Sequence, residues 1–270
     1  VFNDDLIATR DFLKKTIPYL ENDEKVALVG PTAYHRRGKK WFLPSYYTIN
    51  PLQFLTKNID FLIDNRKRVA RLIGIAPPIF RKSLFKVPYD DEYFAYYEDS
   101  YLSFRALLNG YDILYIPEAK LKHYGSITIG GMNKKAFFKF IGNRNRLMNI
   151  LIFYRFSTII KLIPLILIGE ISLYVSNPLS SLSILKSHLW IIIHFFKVME
   201  KRKRIWSNNK YDDRKILQYM TSNMFNDETA SGIAKSFIRM VNAIIGVYLR
   251  LVGIKTLESD PTVFRYNNIS

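Results

Sequence analysis

Apolar and polar positions in the first half of the chain alternate between strand-like runs and helical spacing. Apolar residues recur at helical intervals over residues 7–20, which predicts a helix. The apolar run Lys25–Pro31 ends in a Gly-Pro pair and predicts a buried strand followed by a turn. Residues 32–50 are polar, aromatic and irregular, which is typical of a loop, and Pro51 is well placed to open a helix over residues 51–72.

The pattern becomes clearer towards residue 155. Residues 72–80 are expected to be extended, because Pro77 and Pro78 are incompatible with a helix interior. Residues 98–109 show helical spacing, and Gly110 is placed to end that helix. The pattern then predicts strands over residues 111–117 and 119–125 and a long basic helix over residues 134–155.

Beyond residue 155 the chain is dominated by Ile, Leu and Phe. A membrane-spanning helix needs about 20 consecutive, mostly apolar residues. Lys161 and Glu170 interrupt the first apolar stretch, 156–175, and the second, 182–198, is short and carries Lys186. We therefore expect a helical hairpin that lies in a membrane interface or dips into it, with a buried helical pair in a soluble domain as the alternative.

The pattern divides the chain into three parts. Residues 1–150 are expected to form an α/β layer, and residues 151–205 an apolar, membrane-associated helical hairpin with a basic end. Residues 206–270 are expected to form a helical extension, with an amphipathic helix over residues 232–254.

Charge points to an anionic partner. The 270 residues include 40 Lys and Arg against 23 Asp and Glu, for a net charge of +17. One basic cluster, 197–204, directly follows the apolar region, which favours an anionic membrane surface. We expect no nucleic-acid partner, because the basic residues do not interleave with a recognition element. The absence of cysteine excludes disulfides, thiolate metal sites and a cysteine nucleophile.

Three groups of polar residues have the composition of a reactive site. Carboxylates such as those at residues 3–5 can bind a hard divalent cation at a strand end, although Asn and Asp also form turns and helix caps. Glu98 and Asp99 are adjacent at a predicted helix start, where a general base can reach a substrate hydroxyl, and a helix cap is the alternative. His123 lies in a predicted strand, where a lone histidine is more often packed than catalytic.

These groups occur in a fixed order together with further motif positions. The first element is Phe2-Asn3-Asp4-Asp5, and the last is Arg144-Asn145-Arg146. Between them a gap-free register joins Tyr89, Asp90, Phe94, Glu98, Asp99, Leu102, Arg105, Gly110, Tyr111, Ile113, Tyr115, Pro117, Ala119 and His123. The ordered set resembles the family 2 glycosyltransferases of GT-A fold, and in particular the rhamnosyltransferase-like members. The resemblance covers roughly residues 1–205.

The resemblance implies a metal site and a general base. Asp5 would be the metal-binding acid of a DxD-like motif, with Asn3 in the place of its first acid. His123 would lie near the metal, Mg or Mn, and near the diphosphate of the donor. Asp99 would be the general base that deprotonates the acceptor hydroxyl, with Glu98 beside it.

The resemblance also implies the substrates. Arg144 and Arg146, with Asn145 between them, would face phosphates of the nucleotide-sugar donor or of a lipid-linked acceptor, since guanidinium groups suit phosphate oxygens. Asp4 and Arg105 are expected beside them on the substrate side. The implied reaction is an inverting sugar transfer to a hydroxyl of a glycan or lipid-linked acceptor at the cytoplasmic face of a membrane.

The chain departs from the family pattern in two ways. Tyr101 replaces a second acid after the Glu-Asp pair, and Asp91 replaces a glutamate. The family's nucleotide-binding half precedes the DxD-like motif, so we expect the chain to hold the acceptor half of a GT-A domain followed by a mostly helical region. An upstream or separate chain would supply the other half. The alternative is a non-catalytic membrane-surface remnant or scaffold of the same family.

Overall fold

The structure is a computed structural model. It describes residues 6–37, 40–42, 47–58, 69–73, 77–124, 132–176, 178–225, 227 and 230–266. The described chain is mixed α/β, with a curled sheet and about 55% helix, which confirms the predicted class at that level. The predicted roles of Asn3, Asp4 and Asp5 fall on residues outside the described ones.

Two long parallel strands form the centre of the sheet. They are β2 (Val26–Arg37) and β8 (Asp112–His123). Four short strands pair antiparallel with them: β1 (Leu6–Ala8) and β6 (Ala70–Arg71) beside β8, and β3 (Lys40–Phe42) and β7 (Ile79–Phe80) beside β2. A separate antiparallel pair is formed by β4 (Tyr47–Ile49) and β5 (Leu55–Asn58).

The apolar runs of the central strands face two different cores. Leu114 and Ile116 lie in a small core with Phe12, which is on helix α1 (Phe12–Asn22). The neighbouring residue Ile113 belongs to the main core instead, because successive side chains of a strand point to opposite faces of the sheet. Burial on both faces explains why the sequence of each strand is almost continuously apolar.

The remaining helices follow the sheet residues or lie between them. They are α2 (Glu98–Leu108), α3 (Met132–Phe153), α4 (Phe156–Ser176), α5 (Ser181–Ile193), α6 (Phe195–Trp206), α7 (Arg214–Leu217) and α8 (Gly232–Leu251). Short 3₁₀ turns lie at Lys82–Leu84, Pro178–Ser180 and Pro261–Phe264. The main core contains side chains from β8, α2, α3, α4, α6 and α8, so helices and sheet share one interior.

Several predicted elements agree with the structure. The expected helix over residues 98–109 is α2, and Gly110 follows it with a φ of 85°, the left-handed conformation expected after a helix. The predicted helices over residues 134–155 and 232–254 correspond to α3 and α8. The second half of the predicted hairpin is two helices, α5 and α6, which meet at His194.

Three secondary-structure predictions were wrong. The helix expected over residues 51–72 is replaced, where it is described, by β5 and β6, because pairing with β4 and β8 outweighs local helical spacing. The helix expected from residue 7 begins at Phe12, after β1. The loop expected over residues 32–50 contains the end of β2 and two further strands.

The two strands predicted on either side of Glu118 form one strand, β8. Its pairing with β2 shifts register between Ile116 and Lys120, so the intervening residues bulge. Pro117 has no N–H to donate to a neighbouring strand, which explains an interruption at this point. The Thr32 hydroxyl donates to the Pro117 carbonyl at 3.0 Å and stabilises the bulge.

Among the described residues, two helices are long and apolar enough to cross a membrane. They are α4, with a mean hydropathy of 1.9, and α8, with a mean hydropathy of 1.3. Only 22% and 17% of these apolar windows are buried. The sequence predicted that α4 would fail this test because of its two charged residues, and it treated α8 as amphipathic only. The pair α5–α6 also passes the test as one unit, bent by 69°.

Replacing Gly110 by Ala is expected to lower the free energy of unfolding by about 2 kcal/mol. Its positive φ disfavours a side chain, and the new Cβ would lie 2.5 Å from Cε2 of Tyr211. The control is Gly142→Ala in α3, where the nearest atom to the new Cβ is 3.8 Å away. Urea unfolding in mild detergent measures both, and equal stabilities of the two variants would contradict this role of Gly110.

Candidate active site

The acidic pair lies in the first turn of α2. Glu98 and Asp99 are the first two residues of that helix, and both are half-buried. Tyr97 occupies the N-cap position and makes no side-chain capping hydrogen bond. Neither acid is therefore the N-cap residue of the helix, which was the alternative left open by the sequence.

The backbone that leads into the acidic pair is strained. Tyr96 has a φ of 63° and Tyr97 a φ of 67°. Left-handed conformations are uncommon for residues other than glycine and cost roughly 1–3 kcal/mol each. In the described part of the chain, the third non-glycine residue with positive φ is Gln53, at 61°. The Tyr97 hydroxyl donates to the Gln53 carbonyl oxygen at 2.7 Å, so the two strained turns are in contact.

Burial controls the charge of the acidic pair. Desolvation, together with the neighbouring charge of Glu98, raises the pKa of Asp99 from 3.8 to about 8. Burial also raises the pKa of Glu98, and no described residue forms a hydrogen bond with its buried Oε2 atom. The helix N-terminus favours the charged forms, but this effect is smaller than the cost of burial. A carboxyl group with a pKa near neutrality is suited to general base catalysis.

Tyr89 shares the environment of the two acids. Burial raises the pKa of its phenol, and the charges of Asp99 and Glu98 raise it further. Tyr89 therefore stays protonated and is available as a hydroxyl donor beside the acids. The sequence register included Tyr89 only as a motif position, and nothing in its spacing indicated this electrostatic interaction with the acids.

Side chains of helix α3 form hydrogen bonds with the backbone of the strained turn. The side-chain amide of Asn145, which is fully buried, donates to the carbonyl oxygens of Ala95 at 2.8 Å and Tyr96 at 2.9 Å. The Arg144 guanidinium donates to Asn145 Oδ1 and to the Glu92 carbonyl oxygen. These contacts fix the backbone immediately before the acidic pair.

Arg146 supports the other strained turn. Its guanidinium donates to the Leu52 carbonyl at 3.0 Å, pairs with the carboxylate of Glu170 on α4, and lies 4.3 Å from the ring centroid of Phe54. In the same turn, Asn50 Oδ1 accepts hydrogen bonds from the backbone N–H groups of Leu52 and Phe54. The Arg146 guanidinium therefore forms its hydrogen bond and its ion pair with groups of the protein itself.

The predicted phosphate contacts of the basic residues stay predictions. The structure places Arg144 and Arg146 almost completely inside the protein, with 8% and 2% of their surfaces exposed. Arg105 lies in the last turn of α2 and donates to the carbonyl oxygens of Val87 and Pro88. All three guanidinium groups therefore have internal acceptors, and a phosphate would have to compete with these acceptors or bind beside them.

Lysine side chains of α6 bind the loop ahead of the acids. Lys201 is largely buried and pairs with Asp90 and, at 3.2 Å, with Glu92. Lys197 also pairs with Glu92. The sequence assigned this basic cluster to a membrane surface, and Lys201 in it instead faces the protein interior. The sequence signal that could have shown this was helical spacing, which places some residues of the cluster on the side of α6 that faces the protein.

The predicted metal site can be tested at His123 alone. His123 ends β8 and pairs with Leu6, the residue directly after the DxD-like motif. Asn3 and Asp5 lie outside the described residues. Within the part of the chain that the structure covers, no group of three or more His, Asp or Glu side chains is arranged to hold a metal ion. The pairing of β1 with β8 brings His123 beside Leu6, and the metal-binding role of His123 stays a prediction.

No protein-family model matches this chain, and no curated protein matches it. The order of the sequence motifs and the geometry around Asp99 are therefore the basis for any functional assignment.

Replacing Asn145 by Ala is expected to lower the free energy of unfolding by about 2 kcal/mol, because two partly buried hydrogen bonds to backbone carbonyl groups are lost. The strained segment 95–97 is expected to exchange its amide hydrogens faster. Asn208→Ala is the matched control, since Asn208 is exposed and its amide lies 3.5 Å from its acceptor. Unchanged amide exchange over residues 95–97 in Asn145→Ala would show that the amide does not hold the turn.

The pKa of Asp99 predicts how stability depends on pH. Between about pH 4 and pH 8 the native state binds more protons than the unfolded state, so the free energy of unfolding falls as pH rises. Asp99→Asn removes this contribution. The free energy of unfolding of Asp99→Asn, minus that of the wild type, is therefore expected to increase by about 2 kcal/mol or more from pH 5 to pH 8.

Urea unfolding at several pH values measures this difference. The control is Asp91→Asn, since Asp91 is exposed on the same loop. Its stability is expected to differ from that of the wild type by a constant amount across the range. An equally constant difference for Asp99→Asn would contradict the raised pKa.

Proposed function

We propose that this chain is the acceptor half of a membrane-associated, inverting glycosyltransferase. It would transfer a sugar from a nucleotide-sugar donor to a hydroxyl of a glycan or lipid-linked acceptor. The observation that carries the proposal is the half-buried Asp99, whose pKa of about 8 suits a general base, at the motif position where the resemblance expects that base.

In the proposed reaction the Asp99 carboxylate accepts the proton of the acceptor hydroxyl. The hydroxyl oxygen attacks the anomeric carbon of the donor as the bond to the nucleoside diphosphate breaks on the opposite face. Because its environment raises its pKa, Asp99 is a stronger base than an exposed aspartate, although less of it is ionised at neutral pH. Glu98 and Tyr89 lie beside it and supply hydrogen-bonding groups for the acceptor.

A divalent metal, Mg or Mn, belongs to the same proposal. Asn3, Asp5 and His123 would hold it, and oxygen-rich ligands with one imidazole suit either ion. When bound, the metal neutralises charge on the diphosphate leaving group. The pairing of Leu6 with His123 supports this assignment because it joins the end of β8 to the chain that follows Asp5.

The membrane assignment rests on exposed apolar helices beside a basic cluster. α4 and α8 have the length and composition of spanning helices, and the α5–α6 junction exposes Ile193 and Phe196. The exposed residues Lys203 and Arg204 of the basic cluster follow that junction and suit anionic headgroups of a cytoplasmic leaflet. We place the acidic pair on the cytoplasmic side of the membrane, where nucleotide sugars are available.

A second candidate is a non-catalytic membrane-surface remnant or scaffold of the same family. One observation favours this candidate. Arg144 and Arg146, which the resemblance assigns to phosphates, donate hydrogen bonds to backbone carbonyl groups of the protein instead. In that case the chain keeps its membrane helices and basic cluster, and Asp99 has no substrate to deprotonate.

Asp99→Asn is expected to lower the rate of sugar transfer by about 10²–10⁴-fold, because the amide cannot accept the proton. The wild-type rate is expected to rise with pH up to about pH 8, as Asp99 ionises. Transfer from a panel of nucleotide sugars measures both, using the chain alone and the product that includes any open frame upstream.

Asp91→Asn is the matched control for this experiment and is expected to keep the wild-type rate, since Asp91 is exposed. Full activity of Asp99→Asn would contradict the assignment of Asp99 as the general base. If neither the chain alone nor the product with any upstream open frame transfers a sugar, the result would favour the non-catalytic remnant.

A further inference from the structure

An open cavity of about 770 Å³ lies between the start of α4 and one side of α6. Arg155, Phe156 and Ser157 line it where α4 begins, and four side chains of α6 line the other side. The volume is within the range of about 300–1,000 Å³ that is typical of small-molecule sites. None of the residues assigned to sugar transfer lines this cavity.

Helix α6 uses different sides for two contacts. The residues that line the cavity follow the i, i+3, i+4, i+7 spacing of one helix face: Met199, Arg202, Lys203 and Trp206. Lys197 and Lys201 are also one turn apart, but they pair with the loop ahead of the acidic pair. The basic cluster 197–204 is therefore divided between two sites, and part of its charge lies at the cavity.

The cavity is lined by three cations, which are Arg155, Arg202 and Lys203. Among the described residues, no acidic side chain lines it. The Arg155 guanidinium lies 3.3 Å from Oδ2 of Asp212, but Arg214 pairs with the same atom at 2.6 Å. The Arg155 backbone N–H donates to the buried carboxylate of Asp213. The lining cations and these partners are thus four cations and two carboxylates, which leaves the site positively charged.

The protein fixes one of the cations without neutralising it. The Arg202 guanidinium lies 4.2 Å from the ring centroid of Phe156 and 5.3 Å from that of Trp206. It donates to the Leu151 carbonyl at 2.6 Å and also to the Tyr154 carbonyl. Rings and carbonyl groups orient a guanidinium but carry no net charge, so Arg202 retains its attraction for an anion.

The cavity lies at the end of a candidate membrane span. Phe156, which lines the cavity, is the first residue of α4, and α4 has the length and composition of a spanning helix. Phe156 and Ile160 are 56% and 65% exposed. With α4 in a bilayer, the cavity lies at the level of the headgroups, and these two side chains contact the first part of the acyl chains.

We infer that this cavity binds the phosphate of an anionic membrane phospholipid between Arg155, Arg202 and Lys203. This inference rests on the membrane association in the proposed function and is independent of sugar transfer. The positive charge favours an anionic phospholipid over a zwitterionic one, because the cation of a zwitterionic headgroup would be repelled. The exposed apolar start of α4 favours a lipid over a free phosphate. Basic sites beside spanning helices suit lipid phosphates for both reasons.

Dioleoyl phosphatidic acid is a suitable probe because its headgroup is a bare phosphate. The full chain in a mild non-ionic detergent is titrated with the probe, and bound lipid is measured by native mass spectrometry. Lys203→Gln is expected to weaken binding at least about fivefold, the equivalent of ~1 kcal/mol. Arg204→Gln is the matched control, since Arg204 is the next residue of α6, is exposed and does not line the cavity. It is expected to bind within about twofold of the wild type.

A second pair of variants tests the cavity by its volume. Ser157 is exposed and lines the cavity in the first turn of α4. Ser157→Phe fills part of the space and is expected to weaken binding at least about fivefold, whereas Ser157→Ala is expected to bind within about twofold of the wild type. Dioleoyl phosphatidylcholine, dioleoylglycerol and glycerol 3-phosphate are each expected to bind at least about tenfold more weakly than the probe.

The comparison of Lys203→Gln with Arg204→Gln separates a built site from a diffuse basic surface. Equal losses in the two variants would overturn the inference, because a diffuse surface loses the same attraction with either charge. Wild-type affinity in Lys203→Gln would overturn it too, as would equal binding of phosphatidylcholine or of glycerol 3-phosphate. Lys203→Gln keeps the test valid if Ser157→Phe fails to fold, because Lys203 is exposed.

The binding assay does not depend on catalysis. Asp99→Asn is expected to bind the probe normally, because Asp99 does not line the cavity. Sugar transfer by a chain that shows no preference for phosphatidic acid would overturn the lipid site and leave the proposed function intact. Specific probe binding without transfer from any nucleotide sugar would support the lipid site and count against the catalytic role.

Discussion

The buried side chain of Asn145 is the contact on which the candidate site depends. Tyr96 and Tyr97 adopt a backbone conformation that costs free energy, and the amide of Asn145 binds the carbonyl of the first directly. One net hydrogen bond contributes about 1 kcal/mol, which does not offset two left-handed residues. The additional contacts of Arg144 with the Glu92 carbonyl and of Tyr97 with the Gln53 carbonyl are therefore needed to hold the turn.

The loop ahead of the acidic pair is also linked to the helices that follow in the chain. Lys201 is the largely buried partner of Asp90 and Glu92, so removal of its charge would leave two carboxylates in a partly desolvated position. Glu170 on α4 pairs in turn with Arg146 on α3. Ion pairs thus join α6 to the loop before the acids and α4 to α3, in addition to the core that these helices share.

The sequence predicted best where local signals were sufficient. α2 and Gly110 followed from helical spacing and a terminal glycine, whereas the role of Asp99 stays a prediction from the ordered motifs. The helix expected over residues 51–72 was wrong, because β5 and β6 depend on partners distant in the chain. The strain at Tyr96 was not predictable either, since tyrosine carries no signal for a positive φ and Asn145 is far from it in sequence.

Strain and burial meet at one short segment, and this explains why the acidic pair tolerates an unfavourable environment. An exposed Asp99 at a helix N-terminus would ionise easily and would be a weak base. The left-handed turn at Tyr96 and Tyr97 instead starts α2 in a position where both acids are partly enclosed.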